Sequence, residues 1–268
     1  MRLLDDIKNL FLHRSLIMQF IKREVRSRYQ GSYLGIVWSF ITPLMMLMIY
    51  TFVFSVVFKA RWGTSSGDSK VEFALLLFSG LIVFNIFSEV VSRAPMLITS
   101  NVNYVKKVVF PLEILPIVIL GSSLFHLGIN IVILIIAILI FTGKIYWTVI
   151  LLPLVLLPIC LFTLGLGWFL ASLGVYIRDI GQVMSVVISA LMFLSPIFYP
   201  ISAIPKELQF LYYINPISYV VEDVRRVTVW GLLPHWNWLI TGTVFGIITT
   251  LLGLTWFKKT RGGFADVL

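Results

Sequence analysis

Residues 114–143 read ILPIVILGSSLFHLGINIVILIIAILIFTG, thirty consecutive positions without an Asp, Glu, Lys or Arg. A helix rises about 1.5 Å per residue, so about 20 apolar residues cross about 30 Å of hydrocarbon. A charge at the centre of such a span costs about 2.5–3.5 kcal/mol, so stretches free of charge mark where the chain can enter a bilayer. Five more stretches flank this one: 29–58, 73–92 (interrupted only by Glu89), 145–177, 180–205 and 227–257. Across all 268 residues 59% are apolar and only 12% charged, against about a quarter charged in soluble domains. A soluble domain is thereby excluded, and the expectation is an all-α membrane protein with six transmembrane helices.

The wet segments are basic, with 21 Lys and Arg against 12 Asp and Glu. An even number of spans puts both termini on one side. That side collects 14 of the Lys and Arg residues and the other collects seven, a bias that places the termini in the cytoplasm. The expected division is a cytoplasmic amphipathic interface helix over 1–30, a transmembrane domain over 31–258 and a cytoplasmic tail over 259–268. In the first segment Leu3, Ile7, Leu10 and Phe11 repeat at helical spacing. Ser15 then serves as an N-cap, and Leu16, Phe20, Ile21 and Val25 continue the stripe, with Lys22, Arg23, Arg26 and Arg28 toward water or lipid phosphates. Such a helix either anchors in anionic lipid or docks a partner. The first 30 residues lack the apolar region of a secretory signal, so no cleavage is expected. The lone Cys160 lies in an apolar stretch, which leaves no disulfide framework and no cysteine metal site.

Between spans five and six the pattern changes. Pro196, Pro200, Pro205 and Pro216 break the chain, yet Lys206–Tyr213 and Ser218–Val229 have the pattern of short amphipathic helices. With Ile204, Phe210 and Leu211 too apolar for a free loop, the region from about 200 to 230 reads as a re-entrant pair. A plain hairpin capping the bundle is the alternative. Glu222 with Arg225 and Arg226 reads as an intrahelical ion-pair set, or as a place where a headgroup is released. Gly31 and Gly35, and Gly242 and Gly246, have the spacing that lets helices approach closely.

Nothing in the membrane looks able to harvest an ion gradient, which requires costly ionisable groups at mid-depth. Glu89 and Glu113 fall at span ends. His126 alone lies deep, and it reads as bonded to Ser122, Ser123 or Asn130, with a proton relay as the other possibility. The one Gly-Lys pair, Gly143-Lys144, has Ile138 and Ile145 where a phosphate loop needs glycine and a hydroxyl, so the chain has no nucleotide site. The histidines His13, His126 and His235 are far apart in topology, and no catalytic or metal-binding cluster is expected. An enzyme acting on polyprenyl lipids would need in-membrane carboxylates or histidines, and the basic cytoplasmic surface argues against a passive channel. Motive force must then come from a partner.

Several stretches, in order along nearly the whole chain, carry a resemblance: KREVRSRYQGSYLGIVWSF at 22–40 followed by Pro43-Leu44, Val105-Lys106-Lys107 before FPLEILP at 110–116, VYIRDI at 175–180, SPIFYP at 195–200, and Asn215-Pro216. This set resembles the permease subunits of type 2 ABC transporters that export cell-surface polysaccharides. The resemblance implies a non-enzymatic half-transporter of the bacterial inner membrane. It would work as a homodimer with two copies of a cytoplasmic ABC ATPase subunit, which binds the ATP, so this chain needs no cofactor of its own. Lys106, Lys107, Arg178 and Asp179 match the ATPase-coupling segments, and the short helices between spans five and six match a periplasmic gate. The implied cargo is a lipid-linked polysaccharide, lipopolysaccharide O-antigen foremost, with capsular polysaccharide, teichoic acid or a small lipid or drug as alternatives. Membrane lipids are expected contacts and nucleic acid is not. A glycan slides past aromatic rings through many weak contacts, so Trp38, Tyr50, Phe198 and Tyr199 are the expected pathway residues, although such rings also populate interfacial belts. Arg23, Arg26 and Arg28 are placed to receive a carrier pyrophosphate, with Glu24–Arg28 equally readable as a helix salt bridge.

Overall fold

The computed structural model describes residues 12–57, 70–106 and 110–268, giving only the backbone for Phe54, Ser55 and Lys70. Among the described residues every regular element is helical: α1 Arg14–Tyr29, α2 Trp38–Thr51, α3 Lys70–Arg93, α4 Val102–Lys106, α5 Ile114–Thr142, α6 Leu152–Tyr176, α7 Ile180–Leu194, α8 Gln209–Ile214, α9 Pro216–Arg225, α10 Trp236–Thr260 and α11 Phe264–Val267. The helices containing α3, α5, α6 and α10 are long and apolar enough to cross a bilayer. At 14 and 15 residues α2 and α7 reach only about 21–22 Å, short of about 30 Å of hydrocarbon.

The reasons for the two short helices are local. The residue before a proline is driven out of the α region, and Ser195, before Pro196, is extended with ψ 149°, so α7 stops at Leu194 and does not reach the expected residue 205. Helix α2 is entered through a 3-10 turn, Gly35–Val37, and left through a π-helical segment, Phe52–Val57, so the helical path is continuous from 35 to 57. The last expected span also shifts. Residues 226–230 form a π-helical end of α9, Gly231 turns the chain at φ 66°, and α10 starts only at Trp236. Gly31 and Gly35 are not packing glycines either. Both have positive φ (83° and 53°) in the turn between α1 and α2, a conformation that costs glycine little.

Helix α3 is the axis of the bundle, with 78% of its apolar window buried against 22% for α5 and α10. Such a helix is hydrophobic on all sides because it meets protein on all sides. Its Phe73–Val91 surface packs with α5, α6, α9 and Ile197-Phe198 into the main core. The most extensive helix pair is α6 with α10. A Cβ on Gly165 would overlap the Thr249 carbonyl, and one on Gly253 would overlap the Gly165 carbonyl. Gly242 and Gly246 face Pro158 and Leu161 along the same seam, as their spacing predicts. Gly253→Ala is therefore expected to destabilise the protein by about 2 kcal/mol through backbone overpacking. Thermal unfolding in detergent measures it, and an unchanged midpoint would contradict this packing.

Candidate functional site

At one end of the bundle α1 lies across α5 and the end of α3. Its buried side is Leu16, Ile17, Phe20, Ile21 and Val25, and its basic residues face outward, as the periodicity predicts. Ile21 seats over Gly121, where a Cβ would overlap it. The N-cap position is His13 without a side-chain cap bond. Ser15 is not the cap but accepts from Gln19 at 3.4 Å. Leu3, Ile7, Leu10 and Phe11 lie outside the described residues.

The three arginines of the expected headgroup site have different partners. Arg23 donates to the Tyr104 hydroxyl at 3.0 Å and stacks over Phe20 at 4.2 Å. Arg28 pairs with Glu89 at 2.7 Å. Arg26 is exposed. The helix pair Glu24–Arg28 does not form, because Glu24 binds Arg93, which also reaches Glu89 at 3.5 Å. Four charges thus tie α1 to α3, and the spacing of i to i+4 could not show it because the partners are 61 and 69 residues apart. Beside this network a cleft of about 390 Å³ is lined by Arg23, Glu24, Ser92, Arg93, Ser100 and Asn101 over an apolar floor. Glu89→Gln is expected to free Arg28 while Arg93 keeps Glu24, and to cost below about 1 kcal/mol, since the pairs are partly exposed. A faster amide exchange in α1 with little change in global stability checks it.

His126 does not bond Ser122, Ser123 or Asn130. Its Nδ1 meets the Tyr29 hydroxyl at 3.3 Å, so this deep histidine joins the end of α1 to α5.

The two expected coupling segments emerge at the same end. Lys106 closes α4 and is exposed, Arg178 and Asp179 are exposed in the turn between α6 and α7, and Lys107 lies outside the described residues. They are braced by a second small core of Ile98, Leu112, Leu115, Trp168, Val175, Leu254, Phe257 and Phe264. Residues 259–268 contribute to it. They complete α10 and fold into a 3-10 turn and α11, which bury Phe264 against Tyr176 and Phe257 at ring distances of 6.0 and 5.5 Å. Arg261 pairs with Glu113 at 2.8 Å, the Trp168 indole N–H donates to the Glu113 carbonyl at 2.9 Å, and the Tyr176 hydroxyl donates to the Thr260 carbonyl at 2.8 Å. The last residues thereby connect α4 to the α6 end. The lone aromatic in a charged, glycine-containing tail was the available sequence signal for this.

Of the expected pathway residues, the structure brings together three. The Tyr50 and Phe198 rings lie 5.6 Å apart, and the Tyr199 hydroxyl meets that of Tyr212 at 2.6 Å. Phe198 is buried, and its ring packs between Tyr50 and Phe193. Trp38 sits at the other end of α2, 12 residues or about 18 Å from Tyr50 along the helix, and is exposed. Sequence reasoning passed over α7, which has no buried residue. Its surface carries Gln182, Ser185, Ser189 and Phe193, spaced by three, four and four residues and therefore on one stripe, all exposed.

At the opposite end α9 is wedged against α3 and α6. Arg225 is fully buried. Its Nε donates to the Leu76 carbonyl and its Nη2 to the Ile197 carbonyl, each at 3.0 Å. The expected ion pair with Glu222 is present at 3.8 Å but is the weaker contact, and Arg226 turns away to donate to the Leu233 carbonyl at 2.8 Å. Gly80 leaves the room that Arg225 fills, since a Cβ there would stand 3.1 Å from Nη2. Asp223, also buried, accepts from the His235 backbone at 3.0 Å and faces its Nδ1 at 2.8 Å, which ties α9 to the start of α10.

A helical bundle with four bilayer-length apolar helices, exposed basic connections braced at one end and a buried arginine holding short helices at the other defines a multi-pass membrane protein. Its kind is given by comparison: a family model for the ABC-2 type transporter matches residues 15–228, and the chain belongs to that family. It is 25% identical over 262 residues to the O-antigen export system permease protein RfbA of Myxococcus xanthus, covering 97% of this chain and 98% of that protein. It is 24% identical to the protein of the same name from Klebsiella pneumoniae, covering 94% and 95%. The polysialic acid transport protein KpsM of Escherichia coli is 26% identical, covering 88% of this chain and 90% of its own length.

Proposed function

We propose that this chain is the permease subunit of an ATP-driven exporter of a lipid-linked surface polysaccharide, O-antigen foremost. It would act as a homodimer in the bacterial inner membrane with its termini in the cytoplasm and two copies of an ABC ATPase beneath. Near-full-length similarity to permeases named for O-antigen export and for polysialic acid transport supports the cargo class. The structural observation that carries the reading is the exposed α7 stripe of Gln182, Ser185, Ser189 and Phe193. Hydroxyls, an amide and a ring on the face of α7 turned away from the core, which Met184, Ile188 and Leu191 pack against, suit a passage for sugars, which need hydrogen-bonding groups and flat apolar faces. The 35–57 helical path and α7 would make up six crossings, with α8 and α9 dipping back as the gate on the periplasmic side. Trp38, Tyr50 and Tyr199 would line the passage, with Phe198 backing Tyr50.

On the cytoplasmic side Lys106, Lys107, Arg178 and Asp179 would meet the ATPase, with the Phe264 core transmitting its movement. The cleft at Arg23 and Arg93 would receive the phosphates of the carrier, helped by exposed Arg26, while Arg28 stays committed to Glu89. The guanidinium groups of Arg23 and Arg93 in that cleft suit charge-assisted bonds to an oxyanion, with the charge of Glu24 offset by its pair with Arg93. The chain's own part would be structural and mechanical, with ATP hydrolysis in the partner.

The test is a deletion of this gene in its native strain, together with affinity purification of the tagged chain. The expected result is loss of surface polysaccharide with lipid-linked polymer retained inside, and recovery of an ABC ATPase with the tagged protein. An unchanged cell surface, or a purified chain without an ATPase, would overturn the assignment.

A further inference from the structure

Two cavities meet at the α9 end. The first, about 220 Å³, lies between α6, α9 and α10 behind mostly apolar walls that include Val155, Ile159, Phe162, Gly242 and Phe245, with Asp223, which His235 holds, also in its lining. The second, about 700 Å³, lies between the α3 start, α8, α9 and the α10 start, and its walls carry Glu72, Ser202, Gln209, Ser218, Glu222 and His235. Tyr213, Tyr219 and Trp238 bound both cavities. The Tyr219 and Trp238 rings stack nearly parallel (17°) with centroids 4.3 Å apart, and the Tyr219 hydroxyl is held by the Tyr213 carbonyl. The aromatic pair is therefore shared between a mostly apolar slot and a polar chamber, which adjoin at it.

We propose that the paired cavities bind one glycolipid, with its hydrocarbon tail in the slot and its first sugars in the chamber. The chamber is within the range of about 300–1,000 Å³ usual for small-molecule sites. Its ring edges would meet the apolar faces of sugars, while Glu72, Glu222 and Gln209 match their hydroxyls. Two carboxylates disfavour a phosphate in the chamber, so the ligand is a neutral glycan headgroup and not an anionic phospholipid. The site lies within a single protomer and is separate from the passage: none of Trp38, Tyr50, Phe198 or Tyr199 lines either cavity. The neutral headgroup sets this ligand apart from the phosphate-bearing carrier of the export reading, and its choice rests on a mostly apolar slot adjoining a polar, aromatic-edged chamber.

The experiment uses the full chain in vesicles of phosphatidylethanolamine and phosphatidylglycerol. The probe is an alkyl maltoside with a photoactivatable diazirine in its tail, and labelled peptides are mapped by mass spectrometry. Saturable labelling within 155–162 and 238–245 is expected. Trp238→Leu and Glu72→Gln should each raise the half-saturating concentration about fivefold, the scale of a lost stacking or hydrogen-bond contact. Glu72 is exposed, so Glu72→Gln leaves the core untouched and keeps the test sound if Trp238→Leu folds poorly. Labelling spread evenly over the lipid-facing helices, equal labelling by a matched phosphoglycerol probe, or unchanged saturation in the variants would overturn the proposal. Labelling is read without transport. Saturable labelling in a protein whose deletion leaves the surface polymer intact would remove the export assignment and leave this site standing.

Discussion

Replacing Arg225 with methionine is expected to destabilise the protein by about 3 kcal/mol and abolish export. Methionine keeps much of the apolar stem but none of the donors. The Ile197 carbonyl would lose the Nη2–H, and the Leu76 carbonyl would lose the Nε–H and keep only partners within α3, the Ser79 hydroxyl among them. Those two bonds connect three separate parts of the chain, namely α3, the SPIFYP turn and α9, so their loss frees the short helices from the core they close. Lysine should not rescue, because a single ammonium on a flexible stem lacks the planar fork that reaches two carbonyls in different directions. Thermal unfolding of the purified protein and surface polysaccharide in a complemented deletion strain are the measurements. A stable, exporting Arg225→Met protein would show that the buried guanidinium is dispensable.

Phe264→Ala should remove a fully buried ring and cost about 3–5 kcal/mol in the small core under the coupling segments. The structure also gives this change a functional signature. Phe264 packs on Tyr176 and Phe257, two residues upstream of Arg178 and at the end of α10, and α11 touches α4. If Lys106, Arg178 and Asp179 meet an ATPase as proposed, loosening that core is expected to let the partner hydrolyse ATP without moving cargo, so hydrolysis by the complex continues while surface polymer falls. Phe264→Leu, which refills most of the volume, should restore export. If Phe264→Ala exports normally at normal protein levels, the last ten residues do not brace the coupling surface.

The membrane class, the existence of each long helix and the amphipathic nature of α1 were legible in the chain because they follow from local rules: charge is excluded from hydrocarbon, and apolar residues repeat at the helical period. The breaks near 196–216 and the short helices after them were legible for the same reason, since proline acts on its immediate neighbours. Boundaries were not. Nothing in a charge-free stretch says where a helix stops, so the segments assigned to 180–205 and 227–257 were resolved by Ser195-Pro196 and by the Gly231 turn.

Partners were the larger loss. Glu24 and Arg28 are spaced to pair with each other, yet each binds a residue on α3, because docking α1 across α5 brings Arg93 and Glu89 within reach. Arg225 has the spacing of a surface ion pair and proves to be buried, since Gly80 opens a space that only a folded bundle creates. Composition and periodicity act within a few residues and determined by themselves that this chain is helical, basic at its wet edges and at home in a bilayer. Which charges meet, which aromatic rings are covered and where cavities remain depend on residues tens to over a hundred positions apart, and only tertiary packing decides those.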